Sequence, residues 1–127
     1  MPAIGGAFLS SRDPKRLVHW FGDALGIAME PQGEGGMAMF DAGGSMSILA
    51  VHAAREGAPE LPRADVEAEP YGRQPMMLNL RVDDMDATLA RLADKGYRFA
   101  GPVSNEGIGR FAWTRTPDGH DVELWQP

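Results

Sequence analysis

The chain has no cysteine. Disulfides, thiolate metal sites and cysteine nucleophiles are therefore excluded. It also lacks an excess of basic residues: 12 Lys and Arg stand against 18 Asp and Glu, a formal charge of −6. Nucleic acids and anionic membranes require basic patches, so neither is an expected partner. A neutral or cationic small ligand suits this charge better. No apolar run approaches the ~18 residues of a membrane span. The opening Met1-Pro2-Ala3-Ile4-Gly5-Gly6 has neither the basic nor the apolar region of a secretory signal, so a cytoplasmic location is expected. Ser10, Ser11, Ser45, Ser47 and Ser104 lack a Gly-x-Ser-x-Gly context. The pairs Gly35-Gly36 and Gly43-Gly44 are followed by no lysine or helix start, which excludes a phosphate loop. Gly107-Ile108-Gly109-Arg110 is a short turn rather than a dinucleotide fingerprint.

What is present fits one domain of 127 residues, with 43% hydrophobic and 24% charged residues. A chain of this size buries roughly two-thirds of its unfolded surface and needs no covalent staples. Sixteen glycines and ten prolines imply many turns, and eight methionines supply soft apolar surface.

The dominant pattern is an internal repeat. Ala7 to Ser11 reads as a strand, Asp13 as an N-cap and Pro14 as the first helical residue. Leu17, Trp20, Phe21 and Leu25 then recur at helical spacing, and Gly26 ends the helix. The unit recurs from Met76. Met76 to Val82 reads as a strand, Asp83 and Asp84 as caps, Met85, Leu89 and Leu92 as a helical stripe, and Gly96 as the stop. Each unit is followed by strand-like runs. In the first half these are Ile27 to Glu30, Met37 to Asp41 and Met46 to Val51. In the second half they are Tyr97 to Ala100, Phe111 to Arg115 and Asp121 to Trp125. The physical reading is an α+β protein of two βαβββ modules, residues 4–51 and 76–127 of a single domain 1–127, with residues 52–75 as a linker or lid.

Three stretches carry a family resemblance. Asp13 followed by Leu17, Trp20-Phe21 and Leu25-Gly26 resembles a helix signature of the vicinal oxygen chelate superfamily. Arg81-Val82-Asp83-Asp84-Met85-Asp86 is similar to its second strand-to-helix junction, and Thr116 to Trp125 to its terminal hairpin. That superfamily includes glyoxalase I, extradiol dioxygenases, and fosfomycin- and bleomycin-resistance proteins. Tyr71-Gly72-Arg73, Met77-Leu78-Asn79 and Gly109-Arg110-Phe111-Ala112 are similar to a bacterial glyoxalase-like subgroup. The resemblance implies that the two modules form a curled mixed sheet cup around a ligand, and that the chain pairs as a homodimer.

Metal-using members hold one divalent ion on four strand positions, usually His or Glu. Counting from the capping aspartates, these positions fall on Gly6, on Ser47 or Ile48, on Met77 and on Glu123. Glycine has no side chain, and a thioether suits a hard ion poorly. His19, His52 and His120 lie elsewhere, so no metal is expected although Glu123 could ligate one. Strand alternation then places Phe8, Ser10, Met77, Asn79, Arg81, Glu123 and Trp125 on ligand-facing surfaces. Arg81 has a purely structural alternative, pairing with Glu123. Trp113 is near the mouth or in the core, and Tyr71 and Arg73 lie where the 52–75 segment could fold over the opening.

Three functions remain open at this level. The first is a metal-independent protein that binds a small organic molecule. The second is a glyoxalase-like lyase or isomerase, with Glu123 as general base or metal ligand. The third is an accessory domain without turnover.

Overall fold

The computed structural model describes residues 1–127, the side chain of Ala42 excepted. The chain divides into two compact units, Met1–Pro59 and Glu60–Pro127. The first contains β1 (Gly6–Ser11), α1 (Pro14–Leu25), β2 (Glu30–Gln32), β3 (Gly35–Ala42) and β4 (Ser45–Ala53). Its sheet order is β1-β4-β3-β2, with β1 parallel to β4 and the other pairs antiparallel. The second contains β5 (Leu78–Arg81), α2 (Met85–Asp94), β6 (Ala100–Asn105), β7 (Gly109–Arg115) and β8 (Asp121–Gln126). Its order is β5-β8-β7-β6, again with one parallel pair, β5 with β8. The topology is the same in both units, so the α+β reading with two βαβββ modules holds.

Both helices begin where the sequence places them. The side chain of Asp13 accepts from the backbone N–H of Arg16, and that of Asp84 from Ala87. Each thereby satisfies a donor that the first helical turn leaves without a partner. In the first unit the helix stripe Leu17, Trp20, Phe21 and Ala24 is buried together with Leu49 and Val51 of β4. In the second, Met85, Leu89 and Leu92 are buried, as are Val122 and Leu124 of β8.

Three strands start later than the sequence reading places them, two of them because of the preceding helix ends. Tyr97 donates its N–H to Leu92 and Gly96 to Ala93, which is a Schellman closure of α2. Tyr97 therefore belongs to the cap, and β6 starts only at Ala100. Likewise Gly26 donates to Gly22 and Ile27 to Phe21, so β2 starts at Glu30 rather than Ile27. Strand β5 also starts late, at Leu78 instead of Met76. The N–H of Asp121, which would extend the β5–β8 ladder, donates instead to the side-chain oxygen of Gln74 (3.0 Å). Between β3 and β4 the two-residue turn Gly43-Gly44 has φ of 66° and 86°. Two successive positive φ angles match the twist of a hairpin, and glycine reaches them without steric cost.

Replacing Asp84 by Ala should lower stability by about 1 kcal/mol, while Asp84→Asn should retain most of it. Urea unfolding followed by far-UV circular dichroism checks this; an unchanged midpoint for Asp84→Ala would mean the cap contributes nothing.

Candidate functional site

One face of the second unit's sheet is built in three cross-strand rows. In register, Arg115 of β7 faces Asp121 of β8, Trp113 faces Glu123, and Phe111 faces Trp125. On the other side of β8, Asn79 of β5 faces Glu123 and Arg81 faces Trp125. Val122 and Leu124 alternate to the opposite, fully buried face.

In the first row Asp121 is 2% exposed. Its carboxylate accepts from Arg73 (2.6 and 3.0 Å) and from Arg115 (3.0 and 3.2 Å). Burial pushes the Asp121 carboxyl up, but the hydrogen bonds and positive charges of Arg73 and Arg115 outweigh it and hold it below the ordinary aspartate value. The same two arginines fasten the preceding chain segment. Arg73 donates to the Asp65 carbonyl and pairs with Glu67, and Arg115 donates to the Ala64 carbonyl. Gln74 donates to the Gly119 carbonyl (2.6 Å) besides accepting from Asp121. Within the second unit, residues 64–74 are thus a strap tied to β8 and its turn.

The second row centres on Glu123, which is 7% exposed. Its Oε1 accepts from the Tyr71 hydroxyl and from Trp113 Nε1 (3.1 Å), and its Oε2 from Asn79 Nδ2 (2.6 Å). The three donors come from the strap, β7 and β5. All are neutral. The Tyr71 ring meets Trp113 edge-on, with centroids 6.3 Å apart and an interplanar angle of 88°. Desolvation and the neighbouring Glu123 carboxylate push the Tyr71 hydroxyl up to about 12, so it remains a donor throughout the physiological range.

The third row is more open. The Arg81 guanidinium lies over the Trp125 ring at 5.9 Å, and Trp125 lies nearly parallel to Phe111 at 6.4 Å. Trp125 Nε1 donates to the Ile108 carbonyl.

The structure therefore brings Tyr71, Asn79, Trp113 and Glu123 together, and pairs Arg81 with Trp125 one row away. Asn79 rather than Arg81 meets Glu123. Met77 precedes β5 and is half-buried. Phe8 and Ser10 belong to the first unit, where Phe8 stacks on His52 with centroids 5.7 Å apart. Sequence reasoning missed the anchoring role of Arg73, Gln74 and Arg115. The available signal was Asp121, a carboxylate two residues before Glu123 on the same strand face, which required a cation once buried.

The four superfamily metal positions can be tested against these contacts. At Gly6 any side chain would strike the Ile48 carbonyl in the adjacent strand. The first-unit position expected at Ser47 or Ile48 falls instead on Ala50, which faces Phe8 as Glu123 faces Asn79. Met77 offers only sulfur. Glu123 is surrounded by hydrogens aimed at both of its oxygens, not by further ligands. Among the described residues no three His, Cys, Asp or Glu converge. This donor set does not fit a hard divalent ion.

Asp121 ionises below its unfolded value, so its contribution to stability is complete above the ordinary aspartate range and disappears as pH falls through the lower, folded value. Asp121→Asn should cost about 3 kcal/mol at neutral pH. That difference from wild type should shrink as the solution is acidified below about pH 4. Urea unfolding at several pH values measures it; a difference that stays constant into strong acid would contradict the ion-pair assignment.

No curated protein matches the chain. An antibiotic binding protein, TnmS3, from Streptomyces sp. CB03234 is 24% identical, with a TM-score of 0.65 over 100% of this chain and 97% of that one. A glyoxylase/bleomycin resistance protein/dioxygenase domain from Frankia sp. EAN1pec is 22% identical, with a TM-score of 0.66 over 99% and 98% of the two chains. A lactoylglutathione lyase from Agrobacterium tumefaciens is 20% identical, with a TM-score of 0.65 over 98% and 92%. At these identities the likeness concerns the fold. The family model described as the Glyoxalase/Bleomycin resistance protein/Dioxygenase superfamily matches residues 3–124, and the chain belongs to that superfamily.

Proposed function

We propose that this protein binds a small organic molecule on the Glu123 face of its second unit, without a divalent metal. The observation that carries this reading is the buried Glu123 carboxylate, held in place by three neutral donors from three separate elements. Its position is set before any ligand arrives, which lowers the ordering cost of binding. Around it are the rings of Tyr71, Trp113, Phe111 and Trp125, the mixture of apolar surface and a few placed polar groups typical of small-molecule sites. A fold neighbour described as an antibiotic binding protein is consistent with such a role.

The geometry favours binding over general-base catalysis. A carboxylate has about four acceptor sites, and three hydrogen bonds already engage this one. A base that removes a proton from carbon needs a lone pair aimed at the substrate. Glu123 directs three of its lone pairs at protein donors and keeps about one, on Oε2, for a single ligand hydrogen bond.

The indole N–H of Trp113 reports on the site directly, because it donates to Glu123. In a screen of small organic compounds by heteronuclear NMR, binding should shift that resonance. Chelator, or added Zn, Ni or Mn, should leave the affinity unchanged, and Glu123→Gln should weaken it by about tenfold, the loss of one charge-assisted contact. A stoichiometric divalent ion that survives dialysis in wild type and is lost in Glu123→Ala would overturn the metal-free reading.

A further inference from the structure

Tyr71 combines two properties that do not usually go together. Its hydroxyl donates to a buried carboxylate, yet the residue as a whole is 59% exposed. The neighbouring chain is secured independently: Pro70 is buried, Arg73 is paired with Asp121, and Gln74 bonds both Gly119 and Asp121. On either side of Pro70-Tyr71 the backbone is left-handed, at Glu69 (φ 53°) and Gly72 (φ 79°). A left-handed non-glycine residue is strained and persists where the surroundings enforce it. Here the enforced conformation presents a phenol to Glu123 from the solvent side. The side chain is held to Glu123 by a hydrogen bond and meets Trp113 edge-on.

We propose that Tyr71 is an internal stand-in for the ligand, and that the site takes a hydroxylated aromatic ring. Its hydroxyl replaces that of Tyr71 on Glu123 Oε1, and its ring takes the edge-on contact with Trp113. The inference rests on the reading of the Glu123 face as a ligand site and names the chemistry that the site selects.

The exchange is chemically even. One neutral O–H donor to a carboxylate leaves and another arrives, so Glu123 is never left buried with a lost bond. An anionic group at that point would be repelled by Glu123, and an aryl ether would bring no hydrogen. The remaining donors, Trp113 and Asn79, keep the carboxylate in position during the exchange. The next row lies two residues along β8, roughly 7 Å away at strand spacing. There Phe111, Trp125 and Arg81 form a stacked row, further apolar surface for a ligand extended beyond a single ring. Because Tyr71 competes from within the chain, the apparent affinity of wild type is lowered by the fraction of time its phenol stays in place.

The test uses 4-methylphenol, the detached side chain of tyrosine, and 4-methylanisole, its methyl ether. In Tyr71→Ala, 4-methylphenol should bind at least ten times more tightly than to wild type, read from the Trp113 indole resonance. It should also bind at least ten times more tightly than 4-methylanisole. Tyr71→Phe, which keeps the ring and removes the hydroxyl, should fall between wild type and Tyr71→Ala. In Tyr71→Ala/Glu123→Gln the preference for phenol over ether should shrink. Equal binding of phenol and ether to Tyr71→Ala, or wild-type affinity equal to that of both Tyr71 variants, would overturn the proposal. If other compounds still shift the Trp113 resonance in a Glu123-dependent manner, only the stand-in role of Tyr71 falls. If no compound does so, the ligand-site reading falls with it.

Discussion

Two carboxylates on one face of one strand govern the second unit. Asp121 and Glu123 are two residues apart on β8, and both are buried. A buried carboxylate is tolerated only when its lone pairs are satisfied, and the two are satisfied in opposite ways. Asp121 takes two arginines, whereas Glu123 takes a phenol, an indole and an amide. The pairings distribute a demand from β8 to every neighbour. Strand β5 supplies Asn79, β7 supplies Trp113 and Arg115, and the strap supplies Tyr71, Arg73 and Gln74. The position of residues 64–74 against the sheet follows from this demand rather than from apolar burial, since most of the strap is polar or exposed.

The two units share a topology but not a chemistry. The row Trp113–Glu123–Asn79 of the second unit corresponds, strand for strand, to Met37–Ala50–Phe8 of the first. One row is a hydrogen-bonded carboxylate and the other is wholly apolar. The two units thus share an architecture while the buried carboxylate pair sits in one of them. The four-ligand metal arrangement of the superfamily depends on both copies contributing, and Gly6 and Ala50 contribute nothing to it. Restoring a ligand at Gly6 would also require the β1–β4 pair to move apart, because the Ile48 carbonyl occupies the space.

Much of this was legible in the sequence, for identifiable reasons. Asp13-Pro14 and Asp84 announce helix starts because capping is local chemistry. The alternation of Leu78, Leu80 and Val82 with Asn79 and Arg81 reveals the face that Glu123 shares, since side-chain direction in a strand has a period of two. Tyr71 was identifiable only as a residue that could reach the opening. What could not be read was which partner each polar residue takes. Arg81 and Asn79 are equally placed by alternation, and the cross-strand register, which would have to slip by two residues to exchange them, decides that Asn79 meets Glu123. The late starts of β2, β5 and β6 were hidden for a related reason. Each depends on a specific hydrogen bond, from Ile27, Asp121 or Tyr97, that removes the backbone from the ladder or commits it to a helix cap.

The Gln74 bond has a consequence for how the chain can be divided. The strap does not merely cover the sheet; its side chain terminates the β5–β8 ladder and its arginine neutralises Asp121. A fragment cut at Met76, where the repeat begins in sequence, would retain every strand and the helix of the second unit. It would nevertheless lose the Arg73 half of its buried ion network and the acceptor for the first N–H of β8. The second unit is therefore longer than the repeat, because residues 64–74 belong to its hydrogen-bond network.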